Sequence, residues 1–172
     1  MLKIINELSF FFEDCYREIS VREYSRISKI APPTASKILK GFEKEKLLIE
    51  REDKRHLLFK ANRESETLKL LSKIYWQEKL SKLIDSLNNY YFNPTIILFG
   101  SVSKLECNKN SDIDLVVVSE NTNEFKKLKD FEKKTGREIQ MFVVKDIKDL
   151  KNEYLINNVL NGYTLQGEIK WI

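Results

Sequence analysis

The chain has 172 residues, 42% hydrophobic and 33% charged, with a formal net charge of +4. That content is ample for packed cores, and no apolar run approaches the ~20 residues that span a bilayer. Two cysteines, Cys15 and Cys107, and a single histidine, His56, exclude a disulfide framework and a zinc-ligand cluster.

The opening residues meet Glu7 before a signal-peptide core could form, so a cytoplasmic protein without membrane association is expected. Ile4, Ile5, Leu8, Phe11, Phe12, Cys15 and Ile19 recur at three- and four-residue steps and predict an amphipathic first helix. Ser20-Val21-Arg22-Glu23 has capping-box spacing, predicting a short second helix to about Lys29 with Tyr24 and Ile27 inward. Pro32-Pro33 suits the first turn of a third helix that buries Ala35, Ile38, Leu39 and Phe42 and turns Thr34, Ser36, Lys37 and Lys40 outward. Leu47 to Arg51 and His56 to Lys60 are strand-like runs around Glu52-Asp53-Lys54-Arg55, a hairpin.

Three helices followed by a basic hairpin resemble a winged helix-turn-helix domain, here residues 1–62. The resemblance runs from Ile27 through Lys60 and includes Leu39 and Phe42 ahead of Lys46-Leu47-Leu48-Ile49, with Lys46 where many relatives have glycine. It implies that the third helix enters the major groove of double-stranded DNA and the hairpin tip meets the neighbouring backbone. Thr34, Ser36, Lys37, Lys40, Lys54 and Arg55 would then be the DNA contacts, with His56 beside them. Charge distribution agrees: Val21 to Arg63 holds 12 basic and 6 acidic residues, whereas Glu64 onward holds 16 of each. Glu43, Glu45, Glu50, Glu52 and Asp53 dilute that patch, which leaves a solvated or protein-binding face as the competing reading.

From Arg63 to about Tyr91 no glycine or proline interrupts a helical pattern, which predicts a long connecting helix over residues 63–92 able to supply a homodimer interface. Trp76 on its seam reads as a packing residue. Residues 93–172 then alternate: strand Thr95 to Phe99, helix around Val102 to Glu106, strand Ile113 to Ser119, helix about Asn123 to Thr135, strand Glu138 to Val144, helix about Ile147 to Leu160, and an edge strand Glu168 to Ile172. This is the pattern of a small α/β (α+β) domain with its chemistry at one end of the strands.

The chemistry-bearing residues lie at that end. Gly100-Ser101 follows a buried strand and opens a short helix, where free N–H groups suit phosphate. After ten more residues come Asp112 and Asp114, two carboxylates that a period of two places on one face of the next strand. Carboxylates in an apolar strand need a counter-charge, and oxygen-only donors favour Mg²⁺ or Mn²⁺.

Phe99-Gly100-Ser101 with Ser111-Asp112-Ile113-Asp114-Leu115 resembles the signature of the polymerase β-type nucleotidyltransferase superfamily, specifically the minimal nucleotidyltransferases of archaea and bacteria. The resemblance covers about Asn93 to Val144 and implies a mixed sheet and transfer of an NMP, AMP foremost, from an NTP to an acceptor hydroxyl. Asp112 and Asp114 would hold the metal, Gly100 and Ser101 the triphosphate, and Lys104 would assist the phosphates. In that family a third carboxylate sits on a later strand between apolar residues; here Gln140 has those neighbours and Glu138, two residues earlier on the same face, is the candidate. Minimal members modify antibiotics or act as antitoxins that add AMP to a partner toxin, and a DNA-binding module would suit an autoregulated pair. The alternative is a transcription regulator whose nucleotidyltransferase-like domain binds only nucleotide or protein. A further alternative has the winged helix direct transfer to a nucleic-acid end.

Overall fold

The structure, a computed structural model, describes residues 2–169. The chain divides into two compact units, Met1–Tyr75 with Leu105–Lys109, and Trp76–Lys104 with Asn110–Ile172.

The first unit opens with α1 (Lys3–Glu13), which buries Ile5, Leu8, Phe11 and Phe12. The stripe continues beyond the helix: Cys15 and Ile19 are buried too, but from a bend and from β1 (Ile19–Ser20). α2 (Val21–Ser28) starts where the capping-box spacing places it, with Ser20 Oγ accepting from the Glu23 amide at 3.2 Å. Proline at the first turn begins α3 (Pro32–Lys44), with Ala35, Leu39 and Phe42 buried. Lys46, the departure from glycine, adopts φ +58 immediately after the helix, and its own amide and that of Leu47 turn back to the carbonyls of Glu43 and Phe42. The left-handed conformation that glycine serves elsewhere is therefore kept by a lysine, held by these bonds and by Asn62 Nδ2 donating to the Lys46 carbonyl at 2.8 Å.

β2 (Leu48–Asp53) and β3 (His56–Ala61) form an antiparallel hairpin, and β1 pairs with the outer edge of β3, giving the order β1-β3-β2. Asp53 pairs with His56, so the loop is two residues long, and both Lys54 (φ +45) and Arg55 (φ +66) are left-handed. Cys107 lies buried against α1: its carbonyl accepts from the Cys15 amide and thiol, both at 3.1 Å, and its own thiol donates to the Phe12 carbonyl at 3.2 Å. Burial pushes the Cys15 thiol up to about 11, which fits a packing role for it.

The expected single helix from Arg63 to Tyr91 is two helices, α4 (Glu66–Lys79) and α5 (Ser81–Tyr91). The break is a kink at Leu80 (φ −92, ψ 0), whose N–H still bonds to Trp76 and whose C=O still accepts from Ile84. No glycine or proline marks it, and Leu80 is buried. Trp76 is fully buried with the Arg137 guanidinium 5.4 Å from its ring centroid, a packing residue as its position on the seam suggests.

The second unit has an α+β fold around a four-stranded mixed sheet in the order β6-β5-β4-β7. β4 (Thr95–Phe99) is antiparallel to β5 (Ile113–Val118) and to β7 (Tyr163–Gln166), whereas β6 (Ile139–Val144) runs parallel to β5. Between them lie α6 (Gly100–Ser103), α7 (Leu128–Thr135), a 3₁₀ turn (Ile147–Leu150) and α8 (Glu153–Leu160). Ile97, Phe99 and Val116 on one sheet face pack with Ile147 and Val159.

Several boundaries differ from expectation. The helix expected from Asn123 begins only at Leu128; the Asn123 and Glu124 carbonyls instead accept from the Tyr91 and Tyr90 hydroxyls. Lys151 (φ +55) and the Asn152 N-cap divide the expected last helix in two. An edge strand on β4 is formed by Tyr163–Gln166; of the strand expected at 168–172, Glu168 and Ile169 are not in a strand and Lys170 to Ile172 lie outside the described residues.

Candidate functional site

The register of the sheet brings the chemistry-bearing residues together. Phe99 pairs with Asp114, so the turn at Gly100 leaves β4 beside the start of β5. Gly100 has φ +70, and a Cβ built on it would stand 2.1 Å from Asp114 Oδ2. Only glycine lets the backbone approach that carboxylate so closely. Ser103 Oγ donates to the Gly100 carbonyl at 2.9 Å and closes α6, while Phe99 at its N-cap supplies no side-chain cap. Ser101 is half-buried.

Asp112 is exposed and lies just ahead of β5; Asp114 is half-buried within it. Among the described residues, neither carboxylate accepts a hydrogen bond or pairs with a cation. Burial, and secondarily the Asp112 charge, hold the Asp114 carboxyl above the ordinary carboxylate range. Two acids near one another without a counter-charge are costly to ionise, and a divalent cation between them relieves that cost.

Gln140 is the direct β6 neighbour of Asp114, and Ile113 pairs with Ile139. Glu138 precedes β6 and is exposed; its carbonyl accepts from the Ile113 amide at 2.9 Å, which places its Cα level with Asp112. Lys104, at the end of α6, extends its ammonium to Asn158 Oδ1 on α8 at 2.9 Å and forms no ion pair with Asp112 or Asp114.

One residue that the sequence pattern did not single out adjoins this group. Arg137 is only 6% exposed, and its Nη1 donates to the Ser111 carbonyl. Its sequence signal is slight, a lone arginine between the Gly136 helix cap and an apolar strand.

Over residues 77–162 the sequence matches the model of the nucleotidyltransferase domain family. The chain belongs to that family. No curated protein was similar enough to count as a match. A nucleotidyltransferase domain works on an NTP with a divalent cation, and the donors here suit one: two carboxylates on one face, without competing partners, beside a glycine that leaves the space open. Among the described residues no group of three or more His, Cys, Asp and Glu side chains converges.

In the first unit, Thr34, Lys37 and Lys40 are exposed on α3, with Ser36 half-buried, and Lys54 and Arg55 are exposed at the hairpin tip. None of the six has a side-chain hydrogen bond or ion pair among the described residues, in contrast to Arg51, whose guanidinium meets Glu18 through two bonds. Lys54 and Arg55 share a cleft of about 580 Å³ with Arg22, Pro32 and His56. No helix among the described residues is long and apolar enough to cross a membrane.

Proposed function

We propose that the chain is a Mg²⁺-dependent nucleotidyltransferase that moves an NMP, AMP foremost, from an NTP to a hydroxyl of a protein, small molecule or nucleic acid, and that its first unit is a winged helix-turn-helix that binds double-stranded DNA. The observation that carries the enzymatic reading is the approach of Gly100 to Asp114: a glycine turn stands against an unpaired carboxylate at the end of a sheet. Asp112 and Asp114 would hold Mg²⁺ or Mn²⁺, which when bound neutralises triphosphate charge and acidifies the attacking hydroxyl. The backbone at Gly100 and Ser101 receives the phosphates, and Lys104, anchored to Asn158, adds positive charge at the far end of α6. Glu138 accepts the acceptor's proton and completes the carboxylate set.

Support for DNA binding comes from the hairpin. A two-residue loop with both residues left-handed is best served by Asn-Gly, yet this one carries Lys54-Arg55. Cationic side chains kept at strained positions point to a role for the charges. An antitoxin that adds AMP to a partner toxin and binds its own operator, as a homodimer, is the biological setting this combination suits best.

One observation favours a second reading. Gln140, an amide, is the strand neighbour of Asp114, which suits a domain that binds nucleotide without turnover and so regulates transcription. Incubation with Mg²⁺ and labelled NTPs, with and without cell extract, separates the two. The enzyme should yield pyrophosphate and a labelled acceptor, and the Asp112→Ala/Asp114→Ala double variant should yield neither. Wild-type protein that binds Mg-NTP but labels nothing would leave only the regulatory reading.

A further inference from the structure

Asp112 precedes β5 and is exposed, so neither the strand ladder nor burial orients it. Its two chain neighbours are nevertheless both tied down. On one side, the Ser111 carbonyl accepts from Arg137 Nη1. On the other, the Ile113 amide donates to the Glu138 carbonyl at 2.9 Å. Residues 137 and 138 therefore grip the backbone on both sides of Asp112. Arg137 is itself fixed: it is 6% exposed, its guanidinium lies 5.4 Å from the centroid of the buried Trp76 ring, and Gly136 (φ +71) ends α7 just before it. A rigid planar donor on a buried ring is far better suited to setting a carbonyl's direction than a lysine would be.

From this geometry we infer that Arg137 is a positioning residue for the metal site: its bond to the Ser111 carbonyl sets the backbone from which the Asp112 carboxylate reaches the cation. The inference rests on the nucleotidyltransferase reading of Asp112 and Asp114 and adds to it a residue that touches neither metal nor substrate. Groups that orient a ligand in this way typically govern metal affinity by about 10- to 100-fold.

The test measures Mn²⁺ binding by electron paramagnetic resonance, with a non-hydrolysable NTP present, for the wild type, Arg137→Lys, Arg137→Met and Arg137→Ala. Melting curves confirm folding, so that affinity refers to folded protein. The expected result is at least a tenfold loss of Mn²⁺ affinity in Arg137→Met, a smaller loss in Arg137→Lys, and recovery of Arg137→Ala by added guanidinium ion, with no such recovery in Asp112→Ala. Folded Arg137→Met that binds Mn²⁺ like the wild type overturns the inference. A measurement on the unmodified chain stands beside these: exchange of the Ile113 amide should slow on addition of Mg²⁺ and the nucleotide, and an unchanged rate overturns the inference even if the arginine variants do not fold. Wild-type protein that binds neither Mn²⁺ nor nucleotide brings down the nucleotidyltransferase reading itself, and this inference with it; wild-type binding with indifferent variants brings down only the role of Arg137.

Discussion

Replacing Gly100 by alanine tests the geometry of the site most directly. The new Cβ would lie 2.1 Å from Asp114 Oδ2, whereas ordinary contact begins at 3.4 Å, so the carboxylate must retreat by about 1 Å or the turn must open. Alanine at φ +70 adds roughly 1–2 kcal/mol of backbone strain, which for a chain of this size lowers the melting temperature by roughly 2–8 °C. The effect on turnover should be larger, because misplacing a reacting group by ~1 Å costs on the order of 100-fold. Melting curves give the first quantity, and pyrophosphate release with Mg²⁺ and NTP gives the second. An alanine variant that melts a few degrees lower yet releases pyrophosphate at the wild-type rate would refute the placement of Asp114 at the reacting centre.

Three further outcomes are expected. Glu138→Gln should lower turnover on the order of 100-fold, and adding Gln140→Glu should recover part of it by setting a carboxylate beside Asp114; unchanged turnover in the single variant would remove Glu138 from the mechanism. A carboxyl whose folded pKa is raised, as burial raises that of Asp114, contributes stability below its unfolded pKa and loses that contribution as pH rises through the folded value. Asp114→Asn should therefore melt above the wild type at neutral pH in metal-free buffer, with the advantage vanishing in acid, and equal melting at neutral pH would contradict this. In the first unit, changing Lys54-Arg55 to Asn-Gly should relieve two strained residues and raise stability while weakening duplex binding. Lys37→Ala should reduce the slope of log affinity against log salt by about one, as measured by fluorescence anisotropy; a duplex affinity indifferent to both changes would point to a protein-binding face instead.

How much of this was legible beforehand depended on the range of the interaction. The strands Thr95–Phe99 and Ile113–Val118 announced themselves as apolar runs, the capping of α2 was visible in Ser20 and Glu23, and the glycine turn with its two aspartates stood out as a candidate site, because each of these is encoded within a few neighbouring residues. The kink at Leu80 carried no such mark, since neither glycine nor proline stands there. That Lys46, standing where many relatives have glycine, takes a left-handed backbone is likewise visible only in the structure. Local sequence thus determined most of the elements and the charge excess between Val21 and Arg63, and the resemblance of two short motifs pointed to the family. Tertiary structure decided which residues of different strands stand side by side: Gln140 rather than Glu138 beside Asp114, Gly100 against the Asp114 carboxylate, and Arg137 on the carbonyl ahead of Asp112. Strand register and the burial of a charged side chain arise from contacts between distant parts of the chain, and a local pattern holds no record of them.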